Sequence, residues 1–253
     1  MTKPAKARVR LSFERAATSY DSAADVQRRI CDRLADRLPP LNPARLLDAG
    51  CGTGYAQALL QARYPAACAV ALDLSAAMLE QINTPCLRLL GDLEHLPVDS
   101  GSLDLYWSSL AVQWCDLPTV LAEAARVLRP GGHLALATLG PATFHELRHA
   151  FAAVDGHQHT LPFHSKAEIQ AWAELAGLRN IHLHTWSETA YYPDFRSLLK
   201  AVKAVGANQL GAGRRTALLS RAGFARAEAA CEKLRQPAGL PLSYDVITLN
   251  AYA

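Results

Sequence analysis

The sequence has little charge, and it lacks the features that mark membrane-spanning, disulfide-linked or zinc-binding proteins. Only 19% of its 253 residues are charged and 50% are hydrophobic, so the chain can bury a full core. No apolar run approaches the ~18 to 20 residues that a membrane span needs. The six cysteines are isolated, without a C-x-x-C pair, which indicates thiols in a reducing compartment. We therefore expect a cytoplasmic protein without a membrane partner.

The charge balance also excludes a strong electrostatic attraction to nucleic acid. The formal net charge is only +3, too small to indicate nucleic-acid binding. Its distribution is uneven, because residues 196–235 contain nine Lys and Arg against two Glu. Two interpretations of this stretch remain open, a solvated helical face or a docking surface for an acidic partner.

Short β-like runs alternate with helical patterns, which is typical of a parallel sheet covered by helices on both faces. The predicted strands are Arg45–Ala49, Ala69–Leu72, Cys86–Leu90, Leu103–Ser108, His133–Leu139, Ile181–Trp186 and Tyr244–Ala251. We expect a single α/β domain, residues 1–253, with a Rossmann-like, seven-stranded, doubly wound sheet. Its sheet core takes residues 44–190 and 240–253. A helical cover takes residues 1–40, and a helical insertion before the last strand takes residues 193–236.

The helical segments follow the apolar periodicity and the capping residues. Ser165 and Glu168 have the spacing of a capping box, so a helix is expected over Ile169–Ala176. The other predicted helices are Phe13–Leu38 (as one or two helices), Tyr55–Arg63, Ala76–Ile82, Pro118–Leu128, Asp194–Gly206 and Arg214–Arg235.

The most specific local pattern runs from Leu46 to Gly54, where an apolar strand ends in a glycine-rich turn before a helix. Glycines there permit a positive φ and let a ligand approach bare backbone. Asp73 ends the second strand about 20 residues later, where a carboxylate accepts hydrogen bonds from both hydroxyls of a ribose. An adenosine-bearing cofactor is therefore expected at the carboxyl edge of the sheet.

The turn lacks the third glycine of a dinucleotide fingerprint, because Tyr55 stands at that position. The pattern G-x-G-x-G after an acid resembles motif I of class I S-adenosylmethionine-dependent methyltransferases. Four later segments match that superfamily in order: Val70 to Asp73, Gly91 to Leu93, Asp104 to Trp107 and Arg126 to Gly132. The resemblance implies S-adenosylmethionine as cofactor, leaving as S-adenosylhomocysteine. It assigns cofactor binding to Asp48, Gly50, Cys51, Gly52, Gly54, Asp73, Leu74, Asp92, Leu93 and Ser109.

Segments outside the cofactor motifs resemble a narrower family. They include Ser12-Phe13, Tyr20-Asp21, Leu110 to Cys115, His145 to Arg148, Gly206 to Asn208 and Gly239 to Tyr244. This series is similar to the malonyl-[acyl-carrier protein] O-methyltransferases of biotin synthesis. One departure is Ser109, where that family usually has Asn, and it affects the fine placement of methyl donor or acceptor.

The resemblance implies methyl transfer to the free carboxylate of a malonyl group on acyl carrier protein, giving a methyl ester that primes pimelate and biotin synthesis. A carboxyl with a pKa near ~4 is ionised at neutral pH, so no general base is required. An unpaired carboxylate in a dry pocket is costly, and Arg148 is the predicted partner. Tyr20 is predicted to orient the reacting oxygen. Gln113, Trp114 and His145 are predicted to contact the substrate.

The basic stretch then gains a predicted role. Carrier proteins are acidic, so Lys200, Lys203, Arg214 and Arg215 are expected to receive the carrier. A monomer is expected. Three alternatives remain open: a methyltransferase for another small carboxylic acid such as aconitate, an assembly factor that binds S-adenosylmethionine without methyl transfer, and, more remotely, a nicotinamide dehydrogenase.

One metal motif occurs in the sequence. Residues His145 to His149 match H-E-x-x-H, the zinc-protease helix. The longer form of that motif requires a glycine where this chain has Ala152. No metal is therefore expected.

Overall fold

The computed structural model describes residues 5–204 and 219–253. Its strands are β1 Arg45–Ala49, β2 Cys68–Asp73, β3 Leu87–Leu90, β4 Leu103–Ser109, β5 Leu128–Leu139, β6 Arg179–Tyr192 and β7 Leu240–Tyr252. They form a seven-stranded sheet in the order β3-β2-β1-β4-β5-β7-β6. The Rossmann-like sheet predicted from the sequence is confirmed, and the reversal of order at β1 and β4 is the point where such sheets bind ligands.

Helices cover this sheet. They are α1 Lys6–Ala16, α2 Asp25–Ala35, α3 Tyr55–Arg63, α4 Ala76–Glu80, α5 Leu117–Val127, α6 His145–Ala152, α7 Lys166–Leu175, α8 Phe195–Ala204 and α9 Arg221–Glu232. Short 3-10 helices lie at Tyr20–Ala23 and Val112–Trp114. No helix of the described ranges is both long enough and apolar enough to cross a lipid bilayer.

The strands β1 to β5 pair in parallel, as the alternating pattern predicts. The last strand, β7, lies between β5 and β6 and is antiparallel to both. Antiparallel neighbours need no crossover helix, so the pattern of alternating elements does not report their direction. β6 extends over Arg179–Tyr192, well beyond the predicted Ile181–Trp186. The longer strand results from its pairing with β7, which runs from the first to the last residue of β6.

Both faces of the sheet are buried. In β4 the neighbouring side chains of Tyr106 and Trp107 point to opposite faces, and neither has exposed area. Each belongs to a separate apolar cluster, one on each side of the sheet. Two-sided burial is the reason that the central strands form continuous apolar runs.

The N-terminal cover consists of α1, the 3-10 helix Tyr20–Ala23 and α2. The pattern over Phe13–Leu38 predicted one or two helices, and the break falls between Ala16 and Asp25. Near the other end of the sheet, Ser165 and Glu168 form the predicted capping box at the start of α7. Local capping chemistry therefore sets this helix start as expected.

Candidate functional site

The glycine turn after β1 requires glycine for steric reasons. Gly50 has φ +77°, and a Cβ on it would lie 2.2 Å from the Cβ of Ala111. Its N–H donates to the Leu72 carbonyl oxygen at 2.7 Å, as does that of Cys51 at 3.0 Å. The turn is thus pressed between the ends of β2 and β4, with its backbone open to the edge of the sheet. Gly54, at φ +89°, closes the turn against Ile82 and begins α3.

Two carboxylates flank this turn in nearly dry surroundings. Asp48 is 1% exposed, and burial together with the nearby charge of Asp73 raises its pKa to about 8. Its Oδ2 atom has no hydrogen-bond partner among the described residues. Asp73 accepts hydrogen bonds from the backbone N–H groups of Gly52 and Ser75, each at 2.9 Å. Burial raises the pKa of Asp73, and these backbone bonds oppose the rise.

A third acid lies after β3 and is paired with the cover. The side chain of Asp92 accepts a hydrogen bond from Lys6 Nζ of α1 and another from the Glu94 N–H at 3.0 Å. Lys6 Nζ also lies 2.8 Å from Glu94 Oε2. The first helix is therefore held over this part of the edge by one ammonium group between two carboxylates.

These elements enclose one cavity, which we call the cofactor cavity. The predicted cofactor residues that line it are Asp48, Gly50, Cys51, Gly52, Asp73, Leu74, Asp92, Leu93 and Ser109. The cover adds Lys6, Val9 and Phe13. Gly54 is not part of the lining. The structure thus brings nine of the ten predicted cofactor residues together, and their individual roles stay predictions.

Ser109 occupies the position where the resemblance noted a departure. It lines the cofactor cavity, as does Cys31 of α2, and its side chain lies close enough to the Cys31 thiol to lower the pKa of that thiol against the rise caused by burial. This contact joins the end of β4 to the cover.

A second pocket adjoins the cofactor cavity. It is lined by Phe13, Tyr20, Gln27, Leu110, Gln113, Trp114, Leu139, Phe144, Leu161, Phe163 and Tyr244. The two spaces share Phe13, Tyr20, Gln27, Leu110 and Trp114. The Phe13 ring centroid lies 5.8 Å from that of Trp114 and 6.3 Å from that of Tyr20. Three predicted residues, Tyr20, Gln113 and Trp114, therefore meet in this pocket.

Arg148 lies outside both spaces. Its guanidinium donates to the carbonyl oxygen of Pro141 at 2.8 Å and to that of Thr143, and it lines a separate groove with Pro141. His145 is also outside, with Nε2 3.4 Å from Glu146 and Nδ1 3.3 Å from the Ala142 carbonyl oxygen. The structure does not bring these two predicted residues to the second pocket, because the loop carbonyls hold the guanidinium. Their substrate roles stay predictions.

The basic insertion is described only in part. Lys200 and Lys203 are exposed on α8, and α8 packs beside the 3-10 helix Tyr20–Ala23. Arg214 and Arg215 lie outside the described residues. The described end of the insertion is thus next to the element that carries Tyr20.

Several residues at these spaces had no role predicted from the sequence, among them Lys6, Gln27 and Tyr244. Gln27 follows buried Val26 in α2 and belongs to no recognisable motif. Tyr244 ends the segment from Gly239 that carries part of the family resemblance, but the sequence predicts no site role for it. No local signal places either residue at the pocket, because their neighbours there are distant in sequence.

The H-E-x-x-H pattern does not form part of a metal-binding cluster within residues 5–204 and 219–253. No cluster of three or more His, Cys, Asp and Glu side chains there has a geometry suited to an ion.

Comparison of the sequence with known proteins identifies the family of the chain. The family described as "Methyltransferase domain" matches residues 47–136, from β1 through most of β5. A malonyl-[acyl-carrier protein] O-methyltransferase from Dechloromonas aromatica (strain RCB) is 67% identical, covering 99% of this chain and 95% of the relative. The chain belongs to the malonyl-[acyl-carrier protein] O-methyltransferase family. Another member of this family, from Laribacter hongkongensis (strain HLHK9), is 44% identical, covering 98% of this chain and 89% of the relative.

Solved structures agree with the family in fold. Phosphoethanolamine N-methyltransferase 2 from Haemonchus contortus has a TM-score of 0.60 at 15% identity, covering 96% of this chain and 59% of that chain. Geranyl diphosphate C-methyltransferase from Streptomyces coelicolor has a TM-score of 0.53 at 18% identity, covering 88% of this chain and 77% of that chain. Both of those proteins were solved with S-adenosylhomocysteine. At these identities the likeness shows the fold alone.

Proposed function

We propose that the chain transfers a methyl group from S-adenosylmethionine to the free carboxylate of a malonyl group carried by acyl carrier protein. The product, a malonyl methyl ester, primes pimelate synthesis for biotin. The observation that carries the proposal is 67% identity over nearly the whole chain to a protein named for this activity. A cofactor cavity that opens into a small pocket of its own supports the proposal, since transfer needs donor and acceptor side by side.

The lining of the cofactor cavity fits S-adenosylmethionine. Asp48 Oδ2 is buried without a hydrogen-bond partner among the described residues, and a buried unpaired acceptor is costly. A ligand ammonium group would satisfy it and favour the ionised carboxylate. A Cβ at Gly52 would meet no atom within 4 Å, so the turn leaves room for a ligand against its backbone.

Each part of the cofactor has a candidate partner. Asp48 would hold the methionine ammonium, Asp73 the ribose hydroxyls, and Asp92 with Leu93 the adenine. When bound, S-adenosylmethionine supplies a methyl group already activated by a sulfonium. The protein therefore has mainly to select the acceptor and aim it, and such alignment alone can contribute ~7 to 11 kcal/mol to lowering the barrier.

The acceptor would occupy the second pocket. A carboxyl group with an ordinary pKa of ~4 is already ionised at neutral pH, so the pocket needs no general base. Phe13, Trp114 and Tyr20 would exclude water around the reacting oxygen. Burial and the nearby charges of Asp73 and Asp21 raise the pKa of Tyr20, so its hydroxyl stays protonated and able to donate.

The predicted role of Arg148 requires its guanidinium to move. It would have to leave the carbonyl oxygens of Pro141 and Thr143 before it could pair with an acceptor carboxylate. A fully bidentate pair would in addition occupy both carboxylate oxygens and weaken the nucleophile.

The carrier would dock on the basic insertion. Lys200 and Lys203 are exposed beside the element that carries Tyr20, which supports an acidic helix arriving close to the second pocket. We also propose a cytoplasmic location and a monomer, the first because Cys31, Cys51, Cys86 and Cys231 are free thiols.

The direct test is incubation of the protein with methyl-labelled S-adenosylmethionine and one acceptor at a time: malonyl carrier protein, malonyl-coenzyme A, acetyl carrier protein or aconitate. We expect label in the malonyl carrier as a base-labile ester and none in the acetyl carrier. Label in the acetyl carrier would contradict carboxylate methylation. Cofactor binding without label in either malonyl substrate would favour the assembly-factor alternative. Label in a free acid such as aconitate would favour a methyltransferase for another small carboxylic acid.

A further inference from the structure

The second pocket contains no positive charge among the side chains that the structure describes. Its polar side chains are Tyr20, Gln27, Gln113 and Tyr244, and the rest of the lining is apolar. An ionised carboxylate buried there without partners would be strongly destabilised. If the proposed function is correct, the described side chains of this pocket can offer the carboxylate only neutral hydrogen-bond donors, and the nearby cation Arg28 lines the cofactor cavity instead.

Gln27 and Tyr244 form a pair that can supply such donors. Tyr244 is 4% exposed, and the side chain of Gln27 lies close enough to its hydroxyl to influence its pKa. The Oε1 atom of Gln27 is buried without a partner among the described residues. With Nε2 toward Tyr244, the amide can donate to the Tyr244 oxygen, which leaves the Tyr244 O–H to donate into the pocket. If the amide is turned over, Oε1 accepts from Tyr244 and Nε2 donates into the pocket instead. Either way the pair offers one donor.

Tyr20 supplies a second donor at the same side. Tyr20 and Gln27 line both the cofactor cavity and the second pocket, so they stand at the junction of the two spaces. Tyr20 also lies close enough to Tyr244 for a negative charge on one to raise the pKa of the other. Two neutral donors, one from Tyr20 and one from the pair of Gln27 and Tyr244, thus converge where a reacting oxygen would have to meet the methyl group.

Gln113 lines the second pocket and not the cofactor cavity, and its amide makes its own surroundings unsuitable for a carboxylate. Its Nε2 donates to the Leu110 carbonyl oxygen at 2.6 Å, and its buried Oε1 has no partner among the described residues. An unpaired acceptor oxygen repels an anion. The polarity of the pocket therefore orients an acceptor, with its carboxylate toward the cofactor cavity and its thioester toward Gln113.

We propose that Tyr20, Gln27 and Tyr244 form an uncharged hydrogen-bond cradle that holds the carboxylate of the methyl acceptor, and that Gln27 and Tyr244 are therefore binding residues. The inference rests on the proposed function. Hydrogen bonds to a charged group are stronger than those to a neutral group, so the cradle can hold an anion without a cation. Single neutral donors also leave lone pairs on the reacting oxygen, which a bidentate guanidinium would not. Once the carboxylate becomes a neutral ester, these charge-assisted bonds weaken and the product can leave.

The test compares carrier binding rather than activity alone. We would measure the Kd of malonyl carrier and of acetyl carrier for the protein saturated with S-adenosylhomocysteine, in wild type and in Gln27→Leu, Gln27→Glu and Tyr244→Phe. In wild type the malonyl carrier should bind more tightly. Each variant should weaken malonyl carrier binding by about tenfold or more and leave acetyl carrier binding within about twofold. Gln27→Glu should have the largest effect, because its carboxylate repels that of the acceptor.

Matched controls are Tyr191→Phe, which removes an exposed hydroxyl bonded to Gln236, and Gln170→Leu on the surface of α7. Both should behave as wild type. Retained S-adenosylhomocysteine binding will show that a variant is folded. If the buried substitution Tyr244→Phe prevents folding, the Gln27 variants still test the cradle.

Two results would overturn the cradle. One is an unchanged preference for the malonyl carrier in folded Gln27 and Tyr244 variants. The other is loss of that preference only in Arg148→Ala, which would assign the carboxylate to the guanidinium. Failure of the proposed function is distinguishable, because it would appear as a wild-type protein that forms no methyl ester at all.

Discussion

Lys6 and Asp92 form an ion pair that joins the first helix to the end of β3. The pair bridges 86 positions of sequence and closes one wall of the cofactor cavity. Lys6 also contacts Glu94, so a single ammonium serves two carboxylates. The position of α1 thus depends on charge as well as on the burial of Val9.

Lys6→Ala should loosen α1. An accessible ion pair contributes ~0 to 1 kcal/mol, so the rate of proteolytic cleavage within residues 6–16 should rise by up to about fivefold. Limited proteolysis followed by mass spectrometry measures this rate in the cofactor-free protein. Arg10→Ala, which removes an exposed pair with Glu14, serves as the control and should change the rate less. Equal effects of both substitutions would show that Lys6 does not hold the helix.

Asp48→Asn should stabilise the cofactor-free protein at alkaline pH. The pKa of Asp48 is raised to about 8 in the fold, against ~3.9 in an unfolded chain. The native state therefore holds this proton more tightly, and the stability that depends on it is lost as pH rises from about 4 to about 8. The Tm of the variant should exceed that of wild type increasingly between pH 5 and pH 8.5. A difference in Tm that stays constant over this range would contradict the buried acid.

S-adenosylhomocysteine should bind more tightly to wild type as pH rises from 5.5 to 7.5. Its ammonium favours the ionised form of Asp48, so binding releases a proton held by the free protein. Affinity should increase with pH by at most about tenfold per unit below the pKa. Calorimetry in two buffers of different ionisation enthalpy measures the released proton directly. Asp48→Asn should bind with little dependence on pH, and a similar proton release from the variant would assign the effect to another group.

Gly50→Ala should abolish cofactor binding and destabilise the fold, because its methyl group would meet Ala111 Cβ at 2.2 Å and the backbone has φ +77°. Gly131→Ala is a closely matched control, since Gly131 has the same φ and no atom within 4 Å of an added Cβ. The control carries only the backbone strain of ~1 to 2 kcal/mol. Thermal unfolding and S-adenosylhomocysteine titration should therefore separate the two variants. Equal losses of Tm with equal binding would show that the contact with Ala111 is unimportant.

Lys200→Glu combined with Lys203→Glu should raise the KM for malonyl carrier by about tenfold at low salt and leave S-adenosylhomocysteine binding unchanged. Charge reversal at the rim of an interface slows encounter with an acidic partner. The difference should shrink as ionic strength rises, because salt screens exposed charges. Lys166→Glu with Arg179→Glu makes the same change in net charge on exposed residues outside the insertion. If this control pair raises the KM equally, the effect is one of net charge and not of docking.

Much of the cofactor site could be predicted from the sequence because its determinants are local. The turn from Gly50 to Gly54 and the acids at the ends of β1, β2 and β3 each follow directly from a strand that is recognisable by itself. Parallel strands end at one edge of the sheet, so residues found one strand at a time assemble without further information. The start of α7 at Ser165 is predictable for the same reason, since a capping box lies within four residues.

The second pocket was much less predictable. Gln27 and Tyr244 come from opposite ends of the chain, and they meet only because β7 enters the sheet between β5 and β6 while α2 covers it. No local sequence pattern indicates that β7 runs antiparallel to its two neighbours. Arg148 shows the same limit, because its place on α6 could be predicted from the sequence but the carbonyl oxygens that its side chain contacts could not.

Short-range chemistry along the chain therefore decides the strands, the glycine turn and the three acids, since steric limits on φ and the period of side-chain burial act over a few residues. The folded arrangement alone decides that two loop carbonyls occupy the Arg148 guanidinium and that uncharged side chains line the pocket beside the cofactor cavity. These outcomes depend on competition among hydrogen-bond partners brought together from distant segments, and no single segment contains that competition.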